Sequence, residues 1–251
     1  MIAPIAWAEW TLAIRRRRLL ALNAGIPVLL VAPVAFGGAP PFHAAAVYAV
    51  LFVLFGTMGS AIPLLRTGEA GLLRRMVLTG YPPGRILLER AIAGTIIDLL
   101  QLVPAVALIL LASPSARASA SGLLVASLLV ASLLVALLAA NLLGIWIAAA
   151  ARSLAEGALF AAVTSLFLLH GAGVFRTAIP GSWGARVESV VPFAPLHRIL
   201  LEVATGGIGD GTLTALAPSQ VRAVSVTIVV LLLTTAIASP LCERISRGSL
   251  G

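Results

Sequence analysis

The sequence predicts an all-α, polytopic membrane protein with six transmembrane helices, and three observations carry that expectation. Six apolar stretches are each long enough to cross a bilayer core, which takes about 20 residues. Hydrophobic residues make up 60% of the 251 and charged residues only 10%, with a mean hydropathy of +1.09; soluble domains carry about 25% charged residues. The basic residues cluster beside the apolar stretches rather than along a surface, as in a chain whose charges set its orientation.

The first element is an N-terminal helix over residues 1–18. On a helical wheel Ala3, Trp7, Trp10 and Ile14 share one face while Glu9 and Arg16 lie opposite. Two Trp followed by Arg15 to Arg18 suit a helix lying in the headgroup layer; the plainer alternative is a ragged start to span 1. Arg16-Arg17-Arg18-Leu19-Leu20 also has the look of an export signal, but five more spans follow and cleavage is not expected.

Span 1 runs from Leu19 to Phe36 and holds Pro27 and Pro33, so a kink is expected. Span 2 covers Phe42 to Leu65. An Arg-rich block follows, Arg66 to Arg90, then span 3 from Ala91 to Ala112. A small loop with Arg117 leads to span 4, Gly122 to Ala149. Span 5 lies at Leu154 to Phe175, a longer polar segment at residues 176–220, and span 6 at Val221 to Leu241, before a short tail. With the N-terminus inside, that side holds Arg15 to Arg18, Arg66, Arg74, Arg75, Arg85, Arg90, Arg152, Arg244 and Arg247, twelve arginines against five outside. The positive-inside rule then places both termini in the cytoplasm, in the inner (plasma) membrane. In span 4, Ser132, Ala136, Ala140, Gly144 and Ala148 recur at four-residue spacing, a small-residue stripe that lets helices approach closely in lipid.

Whole chemistries are excluded. All 17 basic residues are Arg, so neither a P-loop lysine nor a Schiff-base lysine exists. Cys242 is the one cysteine, which removes intrachain disulfides and cysteine-based zinc clusters, and three scattered His make no metal site. The net charge of +8 is explained by topology, and nucleic acid is not an expected partner.

Within the Arg-rich block Leu72, Leu73, Met76 and Val77 recur at helical spacing, with Glu69 in the first turn and Arg74 and Arg75 on the polar side. Gly80 stops this helix and Tyr81-Pro82-Pro83 forbids its continuation. A short helix held at the membrane surface between two longer ones can transmit a push. The alternative is a solvated loop that only sets topology. Beyond span 5, Val190, Val191, Phe193, Leu196, Ile199, Leu200 and Val203 are too apolar for an exposed loop and too broken by Pro192 and Pro195 to span, so half-inserted helices are expected. Inside the spans, Asp98 and Gln101 share a face of span 3, Asn141 lies in span 4 and His170 in span 5. A mid-span carboxylate costs about 2.5–3.5 kcal/mol on insertion scales, so Asp98 is either hydrogen-bonded to a neighbouring helix or faces a translocation path.

Taken together, the chain resembles the type-2 ABC exporter permeases along essentially its whole length. The residues that carry the resemblance are Glu69, Gly71 and Leu72 ahead of a turn with Pro82, then Arg85, Ile86 and Leu87; later come Pro180-Gly181-Ser182-Trp183 and Pro192-Phe193-Ala194-Pro195-Leu196. The family is more heavily charged just before the glycine, where Thr67, Gly68 and Ala70 stand here. The resemblance implies a single permease domain over 1–251, with residues 67–81 of the 66–90 segment as a cytoplasmic coupling helix. Glu69, Gly71, Leu72, Leu73, Arg74, Arg75, Met76, Tyr81 and Pro82 would dock on a separate ABC ATPase. It implies an extracellular segment at 176–220 with re-entrant half-helices, whose gate residues would be Pro180, Trp183, Pro192 and Pro195. The translocation path would hold Asp98, Gln101, Asn141 and His170. Two ATPase copies and a second permease chain are the implied partners. ATP and Mg sit on the ATPase, and this chain binds no cofactor and is not an enzyme. The Leu/Ala/Val-rich spans, rather than the resemblance, point to an apolar or amphipathic cargo (drug, lipid or lipid-linked molecule). A non-catalytic membrane assembly subunit and an intramembrane enzyme are the alternatives.

Overall fold

The computed structural model describes residues 4–15, 17–113, 121–177, 179–206 and 210–247. Ala3, Arg16, Arg117 and Gly207 to Gly209 lie outside them. Every regular element among the described residues is a helix: α1 (Pro4–Arg15), α2 (Arg17–Phe36), α3 (Pro41–Glu69), α4 (Leu72–Leu78), α5 (Pro83–Ala112), α6 (Ser121–Ala150), α7 (Leu154–Gly171), α8 (Trp183–Glu188), α9 (Ala194–Thr205), α10 (Asp210–Ala236) and α11 (Ala238–Arg247). Five stretches, in α3, α5, α6, α7 and α10, are long and apolar enough to cross a membrane, and a shorter apolar one, Leu20–Phe36, lies in α2. The polytopic architecture is as expected, with the first of the six predicted spans the shortest.

Proline and serine set the ends. Pro41 and Pro83 open α3 and α5, where a missing N–H costs nothing because the first turn has no acceptor for it. Ser153 and Ser182 cap α7 and α8 by accepting from the backbone N–H of Glu156 and Ala185. Pro27 and Pro33 are accommodated within α2.

Helices in lipid gain nothing by hiding apolar area from each other, so close packing and hydrogen bonds must hold them. The α3–α6 pair shows how. Ser132, Ala136, Ala140, Gly144 and Ala148 are all buried. A Cβ on Gly144 would stand 2.5 Å from the Thr57 carbonyl oxygen, and one on Gly56 would stand 3.0 Å from Ala140 Cβ. The small-residue stripe is therefore the seam of the bundle. It runs through two apolar cores: Ala136 and Ala140 lie in one that includes Phe52, Leu102, Leu133, Phe193 and Leu200, and Ala148 lies in a second, at the Arg-rich end, that includes Leu64, Leu73, Ile86, Leu142 and Ile245.

Four boundaries differ from expectation. Glu69 is the last residue of α3, not the first turn of the short helix, because Gly71 turns the chain at φ 67 between them. Span 5 ends at Gly171 rather than Phe175, since Gly173 at φ 79 breaks the helix. The segment ahead of span 6 is helical from Asp210, so residues 210–220 belong to α10. Span 6 ends at Ala236 rather than Leu241, and a separate helix, α11, runs on into the expected short tail and buries Ala238, Leu241, Cys242 and Ile245.

Candidate functional site

At the Arg-rich end the chain makes a helical excursion between α3 and α5. Two glycines permit it: Gly71 (φ 67) opens α4 and Gly80 (φ 88) closes it, conformations an L side chain resists. Pro82 in extended conformation then launches α5. Seven residues are too few for a stable free helix, so packing must hold α4. Leu73 supplies it, wholly buried in the core at the Arg-rich end, with Met76 and Tyr81 packed against that core. The opposite side is open: Leu72 is 46% and Leu78 75% exposed, and Arg74 and Arg75 are exposed. The apolar residues expected to share one face are thus divided, and Leu78, which sequence reasoning passed over, is the most exposed of them.

Ion pairs fasten this excursion. Arg85 lies 5.8 Å over the Tyr81 ring and donates to Glu89 at 2.7 Å. Glu89 also accepts the backbone N–H of Ile5 at 3.2 Å. Arg90 donates to Glu9 at 2.9 Å and to Thr67 at 2.8 Å, tying α1, α3 and α5 together. Hence the polar face of α1 meets protein, while Trp7 and Ile14 point away from it.

Deeper in the bundle, Asn141 Nδ2 donates to Asp98 Oδ2 and to the Leu137 carbonyl, both at 2.9 Å. Asn141 Oδ1 is buried without a hydrogen-bond partner. Gly94 and Gly59 make room for the pair: a Cβ on Gly94 would stand 2.5 Å from Asn141 Oδ1, and one on Gly59 3.1 Å from Asp98 Oδ1. Gln101 is buried a turn further along α5. His170 does not join them; it is exposed in the last turn of α7. Sequence reasoning missed a second polar link, Ser165 donating to Thr57 at 3.1 Å between α7 and α3, for which the only signal is two hydroxyls within apolar runs.

At the other end α8 and α9 fold back. Pro180 and Trp183 are exposed, Pro192 is half-buried, and Pro195 is buried in the first turn of α9. α9 presses its apolar face onto α3 and α6, and Arg198 donates to Glu188 at 2.7 Å. The His197 ring meets Phe42 edge-on at 5.5 Å. Burial pushes its pKa down to about 4, against a smaller upward pull from Glu188.

A family model described as ABC-2 type transporter matches residues 3–203. No curated protein matches the chain.

Proposed function

The chain belongs to the ABC-2 type transporter family, as a membrane permease that has no ATPase activity of its own, and from that premise we propose that it is the membrane subunit of an ATP-driven exporter coupled through α4. Permeases of this family generally pair with an ABC ATPase. The observation that carries the reading is the division of α4, with Leu73 anchored in the core at the Arg-rich end and Leu72, Leu78, Arg74 and Arg75 presented outward. A helix held that way moves with the helices it joins, so a push on its free face displaces α3 and α5 as rigid bodies. Covering the exposed Leu78 is worth about 1–2 kcal/mol at ~25 cal/mol per Å², one contribution to a docking surface that needs further contacts to offset the cost of association.

In this reading the Arg-rich end and both termini are cytoplasmic, α1 lies in the headgroup layer on its Trp face, and α8 and α9 are half-helices that close the outer end, with Pro180, Trp183, Pro192 and Pro195 shaping the exit. Two permease chains and two ATPase copies make the assembly. ATP and Mg remain on the ATPase. The cargo is apolar or amphipathic (drug, lipid or lipid-linked molecule), because the spans offer Leu, Ala and Val walls with Asp98, Gln101 and Asn141 as the buried polar contact. His170 contributes from the exposed side of α7.

Reconstitution in liposomes with the ABC ATPase tests this. Leu78→Arg, Leu72→Ala and Glu69→Ala should each insert normally and lose most ATP-driven transport. Full transport by all three, or labelling that places residues 72–78 outside the cell, would end the proposal.

A further inference from the structure

The C-terminal helix α11 lies across both stems of the coupling excursion. Its first turn meets the start of α5, where a Cβ on Gly84 would stand 3.9 Å from Ala238 Cβ; the nearest atom there, at 3.3 Å, is the carbonyl oxygen of Thr235 in the last turn of α10. Its last turn meets the end of α3, where a Cβ on Gly68 would stand 2.7 Å from both Ile245 Cγ2 and the Ile245 carbonyl oxygen. Gly68 and Gly84 bracket the excursion that contains α4, so α11 spans its base. Between these contacts Leu241, Cys242 and Ile245 share the core at the Arg-rich end with Leu73. Such close contacts leave little room for α11 to slide on α3.

The outward side of α11 is charged. Arg244 and Arg247 are exposed in its last turn, with Glu243 paired to Arg247. Beside it, Arg74 and Arg75 project from α4 and Arg66 from the end of α3. Glu69 and Glu243 offset part of this charge, and the surface stays basic. Arginines in a last turn also favour their own helix by about 0.3–1 kcal/mol, which covers Arg75 in the last turn of α4 but accounts for neither Arg74 nor the meeting of the two helices.

We propose that α11 is part of the ATPase-docking surface: its Arg244 and Arg247, continuous with the free face of α4, receive an acidic surface of the ABC ATPase. This rests on the coupling reading of α4. α11 lies beyond the residues that match the family model, 3–203. Because α11 follows α10 directly, a push received there also reaches α10, the last of the long apolar helices described.

The test uses the full-length permease in nanodiscs of phosphatidylcholine alone, titrated with the ABC ATPase that supports its ATP-driven transport. Cys242, the chain's one cysteine, reports on α11: it is buried and its thiol is pushed up to about 11 by burial, so a maleimide reacts with it slowly while α11 stays docked. The double variant Arg244→Glu/Arg247→Glu should bind the ATPase at least tenfold more weakly at low salt, should lose most of the wild type's salt dependence, and should keep Cys242 protected. Leu78→Arg separates this proposal from the reading beneath it. If Leu78→Arg loses binding while the double variant binds as wild type, α11 is not a docking surface and the coupling reading stands. If neither loses binding, both fall. A loss that accompanies rapid Cys242 labelling, or that appears only when anionic lipid replaces phosphatidylcholine, also overturns the proposal, because α11 has then been detached or acts through headgroups.

Discussion

Asn141 and Asp98, 43 positions apart in sequence, are joined by a 2.9 Å hydrogen bond in the interior of the bundle. Asn141 spends both amide hydrogens there, one on the carboxylate and one on Leu137. Replacing Asn141 with Leu strands a buried carboxylate and should destabilise the protein by about 1–3 kcal/mol. Thermal unfolding in detergent should show a lower midpoint than for wild type, and Asp98→Asn, which leaves no carboxylate to strand, should be the milder change.

The α3–α6 seam tolerates no added methyl group. Gly144→Ala puts a Cβ 2.5 Å from a backbone carbonyl, which cannot yield as a side-chain tip would. The expected cost is about 1–3 kcal/mol. Gly25→Ala in α2 meets nothing within 4 Å and should be neutral or slightly stabilising. Paired denaturation curves check the contrast.

Leu73 and Leu78 should separate folding from coupling. Leu73→Ala empties a fully buried site and should cost about 2–5 kcal/mol, seen as proteolysis in the 69–82 segment. Leu78→Ala lies on an open surface and should stay within about 0.5 kcal/mol of wild type, while ATP-driven transport falls.

His197 should make the end of the bundle formed by α8 and α9 acid-labile. Its folded pKa is pushed down to about 4, from an ordinary value of 6.5. The unfolded chain therefore takes up the proton first as pH falls. The associated stability is fully present above about pH 6.5 and is lost progressively down to about pH 4. His197→Phe should flatten that part of the stability-versus-pH profile, read as unfolding midpoints between pH 7.5 and pH 4.

The apolar runs of α3, α5 and α6 announced themselves, because lipid demands long unbroken hydrophobic helices and little else imitates them. The stripe from Ser132 to Ala148 was legible for the same reason: close approach needs small side chains at a helical interval. The short excursion was found through Gly80 and Pro82, but its start was misplaced, since nothing local distinguishes Glu69 closing one helix from Glu69 opening another. The division between Leu73 and Leu78 was hidden because which side of a seven-residue helix is covered depends on distant partners, Ile245 among them. The amphipathic α11 escaped notice because its residues were split between the end of span 6, with Leu241, and a ten-residue tail, where Cys242 and Ile245 acquire meaning only beside Leu73.

Span 3 leaves the ribosome before span 4 exists. At about 5–20 residues per second, the 43 positions between Asp98 and Asn141 correspond to roughly 2–9 seconds of synthesis. Throughout that interval the nascent chain carries an orphan acid where hydrocarbon would penalise it. The many Leu, Ile and Val of the same helix must offset that penalty of about 2.5–3.5 kcal/mol until the amide arrives, which makes the order of translation a constraint on where such a residue can be tolerated.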